Sequence, residues 1–229
     1  MVIPIRDIQE RHSFPAVNIA LIAVNLGFFF YELHLGSALD GFLRSAAFVP
    51  RQFFEPGGFL GDGRAALLSM FLHGGWAHLG GNMLYLWIFG DNVEDRVGHV
   101  GYVFFYLFCG FAATLAHALA NPDSPVPAIG ASGAIAGVLG AYLVMFPRAR
   151  VITLIPLGFF LRLTELPAIL VLGMWFLLQL LNGSASLAGA GAVGGGVAWW
   201  AHIGGFAAGV VIGLVVRGRG PRRGPAAWA

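Results

Sequence analysis

Long uncharged stretches dominate the chain, separated by short polar segments, and they recur at the length a helix needs to cross a bilayer. A helix spans the hydrocarbon core with about 20 apolar residues, and only helices or closed barrels satisfy their backbone there. The stretches predict six spans: Phe14–Tyr31, Leu67–Phe89, Gly101–Leu119, Ile129–Phe146, Leu166–Leu181 and Val197–Val216. Val151–Leu161 is apolar too, but it has roughly half that length and sits among Arg148, Arg150 and Arg162, which reads as an interfacial loop. The run Gly183–Gly196, rich in Gly, Ala and Ser, divides the last long stretch as a flexible connection. The expected fold class is an all-α membrane protein, a six-transmembrane-helix bundle. It would have a cytoplasmic N-terminal segment 1–13, a core 14–216 and a cytoplasmic tail 217–229.

Composition strengthens this reading. Of 229 residues, 58% are hydrophobic and 10% charged, with mean hydropathy +0.78, which excludes an ordinary soluble domain. The net charge of +2 is too small for a nucleic-acid surface, and the arginines sit between apolar segments, so no nucleic-acid partner is expected. One cysteine, Cys109, permits neither an intrachain disulfide nor a cysteine metal cluster. The start mixes Arg6, Asp7, Glu10 and Arg11 and is followed by no small-residue cleavage pattern, so the first span is expected to be retained.

Charge also sets direction. With an even number of spans both termini share a side, and arginine enrichment marks the cytoplasmic one. Arg6, Arg11, Arg96, Arg148, Arg150, Arg162, Arg217, Arg219, Arg222 and Arg223 fall on the terminal side, against Arg44, Arg51 and Arg64 on the other. Both termini are therefore expected in the cytoplasm, with the protein in the cell membrane. Spans two, four and six then run inward, and their first residues lie at comparable depth in the outer half.

Polar side chains at that depth cost several kcal/mol unless partnered, which makes each a functional candidate. They cluster: His73, His78 and Asn82 in span two, Gly130-Ala131-Ser132-Gly133 at the start of span four, and His202 in span six. On one helix, His78 and Asn82 share a face, whereas His73 is rotated about 140° from His78 and reads as structural. Interhelix hydrogen bonding alone would also explain such residues. Glycines recur every fourth residue at Gly133 and Gly137 and at Gly205, Gly209 and Gly213, a spacing that lets helices approach closely. Close packing could bring His202 within the about 2.6–3.2 Å that makes a serine hydroxyl a nucleophile. No acid lies near His202, so the pair would be a dyad, with the Ser132 amide at a helix start, and side chains from His78 and Asn82, as oxyanion donors.

The ordered set His73-x4-His78-x3-Asn82, Gly130-Ala131-Ser132-Gly133 and Ala201-His202-Ile203-Gly204-Gly205-Phe206 resembles the rhomboid family of intramembrane serine proteases, over nearly the whole chain. The resemblance implies Ser132 as nucleophile, His202 as base and then acid, His78, Asn82 and the Ser132 amide as oxyanion donors, and His73, Gly130, Gly133, Gly205 and Gly209 as structural. It implies no cofactor and no metal, membrane-protein substrates cut near the outer face, and a lipid bilayer as surroundings; it leaves oligomeric state open. It further implies a loop, Gly36 to Arg64, partly in the outer leaflet, a turn after span two marked by Gly90, Glu94 and Gly98, and a movable gate at span five. Two features depart from the family pattern. The Trp–Arg pair of the first loop is missing, the chain reading Gly63-Arg64-Ala65-Ala66, and the position where some members place a ring under the base is Ala136. The rival readings are an inactive rhomboid-like escort protein and a transporter or metal site built from His73, His78 and His202.

Overall fold

The computed structural model describes residues 2–55, 58–157, 160–187 and 197–218. Its helices are α1 (Ala16–Leu35), α2 (Leu39–Ala46), α3 (Pro50–Phe53), α4 (Gly58–Ser69), α5 (Trp76–Val97), α6 (His99–Ala120), α7 (Ser132–Met145), α8 (Ala168–Leu187) and α9 (Trp199–Val216). Three strands, β1 (Ile3–Asp7), β2 (Arg150–Leu157) and β3 (Phe160–Pro167), form one antiparallel sheet in the order β1-β2-β3.

At the centre stands α7, buried from Gly133 to Tyr142. A helix that is apolar all round belongs inside a bundle, and α7 is surrounded by α5, α6, α8 and α9. The exterior carries large apolar side chains, among them Phe104 and Phe108 on α6, Leu177 and Leu181 on α8, and Val211 and Val215 on α9. Such a surface suits lipid rather than water. Among the described residues, four helical stretches are long and apolar enough to cross a membrane: Ala16–Ala46, His99–Ala120, Ala168–Leu187 and Trp199–Val216. The expected count of six is not met on length and composition. Helix α7 has only 14 residues, and α5 ends in the charged run Asp91, Glu94, Asp95 and Arg96.

Several boundaries differ from the sequence reading. Expected span two is broken: α4 ends at Ser69, a turn follows, and α5 starts only at Trp76. Gly90 and Glu94 lie inside α5 rather than at a turn, and only Gly98, with φ +81°, makes the reversal into α6. Glu94 is instead a remote cap. Helix α1 has no side-chain cap of its own, and the Glu94 carboxylate accepts from the Val17 and Asn18 amides at its start. A Cβ at Gly90 would strike Asn18 and Tyr102, which meet there through a Tyr102 hydroxyl donated to Asn18 Oδ1 at 3.0 Å.

The interfacial loop expected at Val151–Leu161 is a hairpin. Its β-branched run Val151-Ile152-Thr153 favours extended backbone, and Val151 and Thr153 turn inward while β1 pairs along the other edge, Asp7 opposite Val151. Ile3–Asp7 is thereby woven into the fold. The expected start of span five at Leu166 belongs to β3, and the helix begins at Ala168. Of the expected flexible run, Gly183 to Leu187 is the last part of α8, and 188–196 lies outside the described residues, as do Arg219, Arg222 and Arg223.

The loop Gly36 to Arg64 is largely helical, as α2, α3 and the start of α4. Arg51 ties it down by donating from Nε and Nη2 to the Asp123 carbonyl at 3.2 and 3.0 Å, and Ala128 N donates to Phe48 O at 2.7 Å. These bonds anchor a loop that lacks the family's Trp–Arg pair.

Candidate active site

Ser132 is the first residue of α7, and the loop before it is held on two sides. Ala128 bridges to Phe48, and Gly130 N donates to Ser69 O at 2.8 Å. Gly130 has φ +125°, a conformation open to glycine, and a Cβ there would run into the His78 ring at 2.7 Å from Nε2. Nothing else fits beside that imidazole. The first intrahelical bond runs from Ile135 N to Ala131 O, so the Ser132 amide precedes it and points out of the helix end, where the backbone dipole favours negative charge.

The glycine rows of α7 and α9 do face each other. A Cβ at Gly205 would meet the Gly133 carbonyl, one at Gly209 the Gly137 carbonyl, and one at Gly140 the Phe206 carbonyl. Backbone thus lies against backbone, which carries His202 to Ser132 across 70 positions of chain. The two side chains meet at 2.8 Å, Oγ to Nε2. The far nitrogen of His202, Nδ1, lies 2.8 Å from Gln179 Oε1 on α8. Trp175 and Trp199 flank the imidazole with ring centroids at 5.8 and 6.3 Å. These indoles put rings beside the imidazole although Ala136 offers none. Gln179, Trp175 and Trp199 stand outside the site residues expected from the sequence.

His73 lies in the turn before α5, not on the helix, so the helical-wheel angle of about 140° does not apply. Its ring packs edge-on to His78 with centroids 5.2 Å apart. Its Nδ1 sits 3.2 Å from the Phe71 carbonyl and must donate there, which leaves Nε2 to accept from Asn82 Nδ2 at 3.0 Å. The Glu32 carboxylate, accepting from the His73 amide, fixes the turn from α1. One N–H of the Asn82 amide is therefore held by His73. His78 accepts from Gly74 N at Nδ1, 3.3 Å, which puts its ring proton on Nε2, the nitrogen beside Gly130. Both side chains are set as donors.

Ser132, His202, His78 and Asn82 line one cavity of about 730 Å³, with Tyr85, Ile135, Leu139 and Trp175 as its apolar wall. A serine hydroxyl in contact with an imidazole, in a cleft with apolar sides that also holds preset donors, is an arrangement able to carry out acyl transfer. Among the described residues no three His, Cys, Asp or Glu side chains converge as metal ligands.

Comparison with known proteins gives the family. A Rhomboid domain matches residues 62–219, most of the chain. The chain belongs to the rhomboid family. It is 34% identical to the rhomboid protease GluP of Bacillus subtilis over 148 residues, 65% of this chain and 26% of that protein. It is 26% identical to the rhomboid protease AarA of Providencia stuartii over 142 residues, 56% of this chain and 50% of that one. RHOMBOID-like protein 4 of Arabidopsis thaliana is 32% identical over 163 residues, 68% of this chain and 35% of that protein. The chain spans between a quarter and a half of the length of these relatives. This rhomboid is accordingly a multi-pass membrane protein of a family that includes serine proteases.

Proposed function

We propose that this rhomboid is an intramembrane serine endopeptidase, and the observation that carries the reading is the 2.8 Å contact of Ser132 Oγ with His202 Nε2 at the mouth of the donor-lined cavity. In the first step Nε2 takes the hydroxyl proton while Oγ attacks the carbonyl carbon of a substrate peptide bond. The resulting oxyanion accepts from the Ser132 amide, His78 Nε2–H and the second N–H of Asn82 Nδ2. Collapse breaks the C–N bond, and His202 returns the proton to the leaving amine. Water then attacks the Ser132 ester with His202 again as base, releasing the carboxylic acid and restoring the hydroxyl.

Depth follows from length. The 14 residues of α7 reach about 21 Å, against a hydrocarbon core of about 30 Å. The reading counts α5 and α7 as spans beside the four apolar stretches, with Ser132 below the outer surface of a cell membrane and residues 1–13 and 217–229 in the cytoplasm. The substrates are then membrane-spanning segments of other proteins, cut near the outer face. The rival transporter or metal reading would need His202 free, yet Ser132 and Gln179 engage both its nitrogens. The test is cleavage of a membrane-anchored reporter together with fluorophosphonate labelling. Ser132→Ala and His202→Ala are each expected to abolish both, and wild-type protein that neither cleaves nor labels would instead support the escort reading.

A further inference from the structure

We infer that Gln179 is a positioning residue that selects the tautomer of His202. The inference rests on the protease reading for its consequence, but not for its geometry. Gln179 is 6% exposed, the buried one of two amides on α8, the other being the exposed Asn182. Its Nε2 lies 3.2 Å from the Trp175 carbonyl one turn earlier, and a carbonyl can only accept. That contact fixes which way round the amide sits: nitrogen toward Trp175, oxygen toward His202. Oε1 is an acceptor, so the His202 nitrogen 2.8 Å away must be the protonated one. The proton therefore rests on Nδ1, and Nε2 faces Ser132 Oγ with its lone pair free.

The other tautomer is disfavoured twice over. It sets the Nδ1 lone pair against the Oε1 lone pairs, and it points an Nε2 proton at the hydroxyl that has to be deprotonated. In Ser–His–Asp enzymes the orienting acid performs this selection, and loss of the correct tautomer there costs about 10⁴ in rate. A neutral amide supplies the same acceptor without a buried charge, whose desolvation would be heavy at membrane depth. The amide also keeps a partner for Nδ1–H when the ring becomes imidazolium during attack. Trp175, Gln179 and Gly183 recur every fourth residue on one face of α8, and the Gly183 carbonyl accepts from Trp200 Nε1 at 3.2 Å. Helix register between α8 and α9 and the orientation of the base are therefore set by the same contacts.

The experiment uses full-length protein in detergent or lipid, with ¹⁵N-labelled histidine and His202→Ala for assignment. In the wild type, His202 is expected to show a protonated Nδ1 and an unprotonated Nε2; an Nε2-protonated ring would overturn the inference whatever the activity. In Gln179→Leu the two tautomers are expected to mix and kcat to fall about 10- to 100-fold, with KM within about twofold. Gln179→Glu, which keeps an acceptor, is expected to recover the tautomer and most of kcat. A Gln179→Leu protein with unchanged nitrogen signals and wild-type kcat would refute the assignment. Ser132→Ala that still cleaves would sink the protease reading alone, because the tautomer measurement does not depend on turnover.

Discussion

Replacing Gly205 by alanine tests the idea that bare backbone contact between α7 and α9 sets the dyad distance. The added Cβ lands on the Gly133 carbonyl, a backbone group next to the nucleophile that cannot rotate away. Relief requires α9 to retreat by about 1 Å, since carbon–oxygen contacts do not compress far inside van der Waals range. A rigid retreat on that scale stretches the Ser132–His202 contact from 2.8 Å past the about 3.2 Å within which a base can take the proton. Misplacement of that size costs about 100-fold in rate. Overpacking costs about 1–3 kcal/mol, partly offset by the up to about 1 kcal/mol that alanine gains over glycine in a helix, so the protein is expected to remain folded. Reporter cleavage and the rate of fluorophosphonate labelling should fall together, beside a much smaller change in melting temperature. The control is Gly27→Ala on α1, where an added Cβ meets nothing within 4 Å and activity is expected to be unchanged. If Gly205→Ala cleaved and labelled at the wild-type rate, the contact between glycine rows would not be what sets the dyad.

Asn82→Ala removes one of the proposed oxyanion donors and is expected to lower kcat about 10²- to 10³-fold with little change in KM, measured on the same reporter; a change confined to KM would place Asn82 in substrate binding instead. On the sheet side, burial first and then the charge of Asp91 raise the Asp7 carboxyl from 3.8 to about 6, against the opposing effects of the Tyr142 hydroxyl and Arg6. The folded chain then holds a proton that the unfolded chain has released, so stability falls as pH rises from about 4 to about 6 and levels off above. Melting temperature against pH should show this slope in the wild type and lose it in Asp7→Asn; an identical slope in both would assign it to another group.

Where the chain crosses apolar surroundings was legible because periodicity and length report burial directly. Each of the six expected spans overlaps a helix, yet two of those helices fail a length-and-hydropathy criterion for physical reasons. Helix α7 is short but enclosed by its neighbouring helices, and α5 can be polar at its end because Glu94 and Asp95 are consumed in contacts at the start of α1, Asp95 by Ser13 and the His12 amide. The sheet was missed because Val151–Leu161 was weighed only as a membrane segment too short to cross. Its β-branched residues carried a strand signal that a hydropathy count does not register. Pairing with β1 could not be read at all, since it joins residues about 150 positions apart.

The site shows the same division between chemistry that is local in sequence and support that is not. Ser132, His202, His78 and Asn82 stood out because each is polar within an apolar run, and the glycine spacing gave a reason for two helices to touch. His73 was given the wrong geometry because a helix was assumed to continue through Gly74 and Gly75, where the backbone turns instead. The support for His202 was sought as an acid or as a ring at Ala136, following the family pattern. It lay under the rule already in use: Gln179 is polar in the middle of an apolar span, and an unpaired amide at that depth costs too much to be idle. Applied without exception, that rule brings Gln179 in with the histidines. The structure then supplies what the rule lacks, which is the direction each nitrogen and oxygen faces.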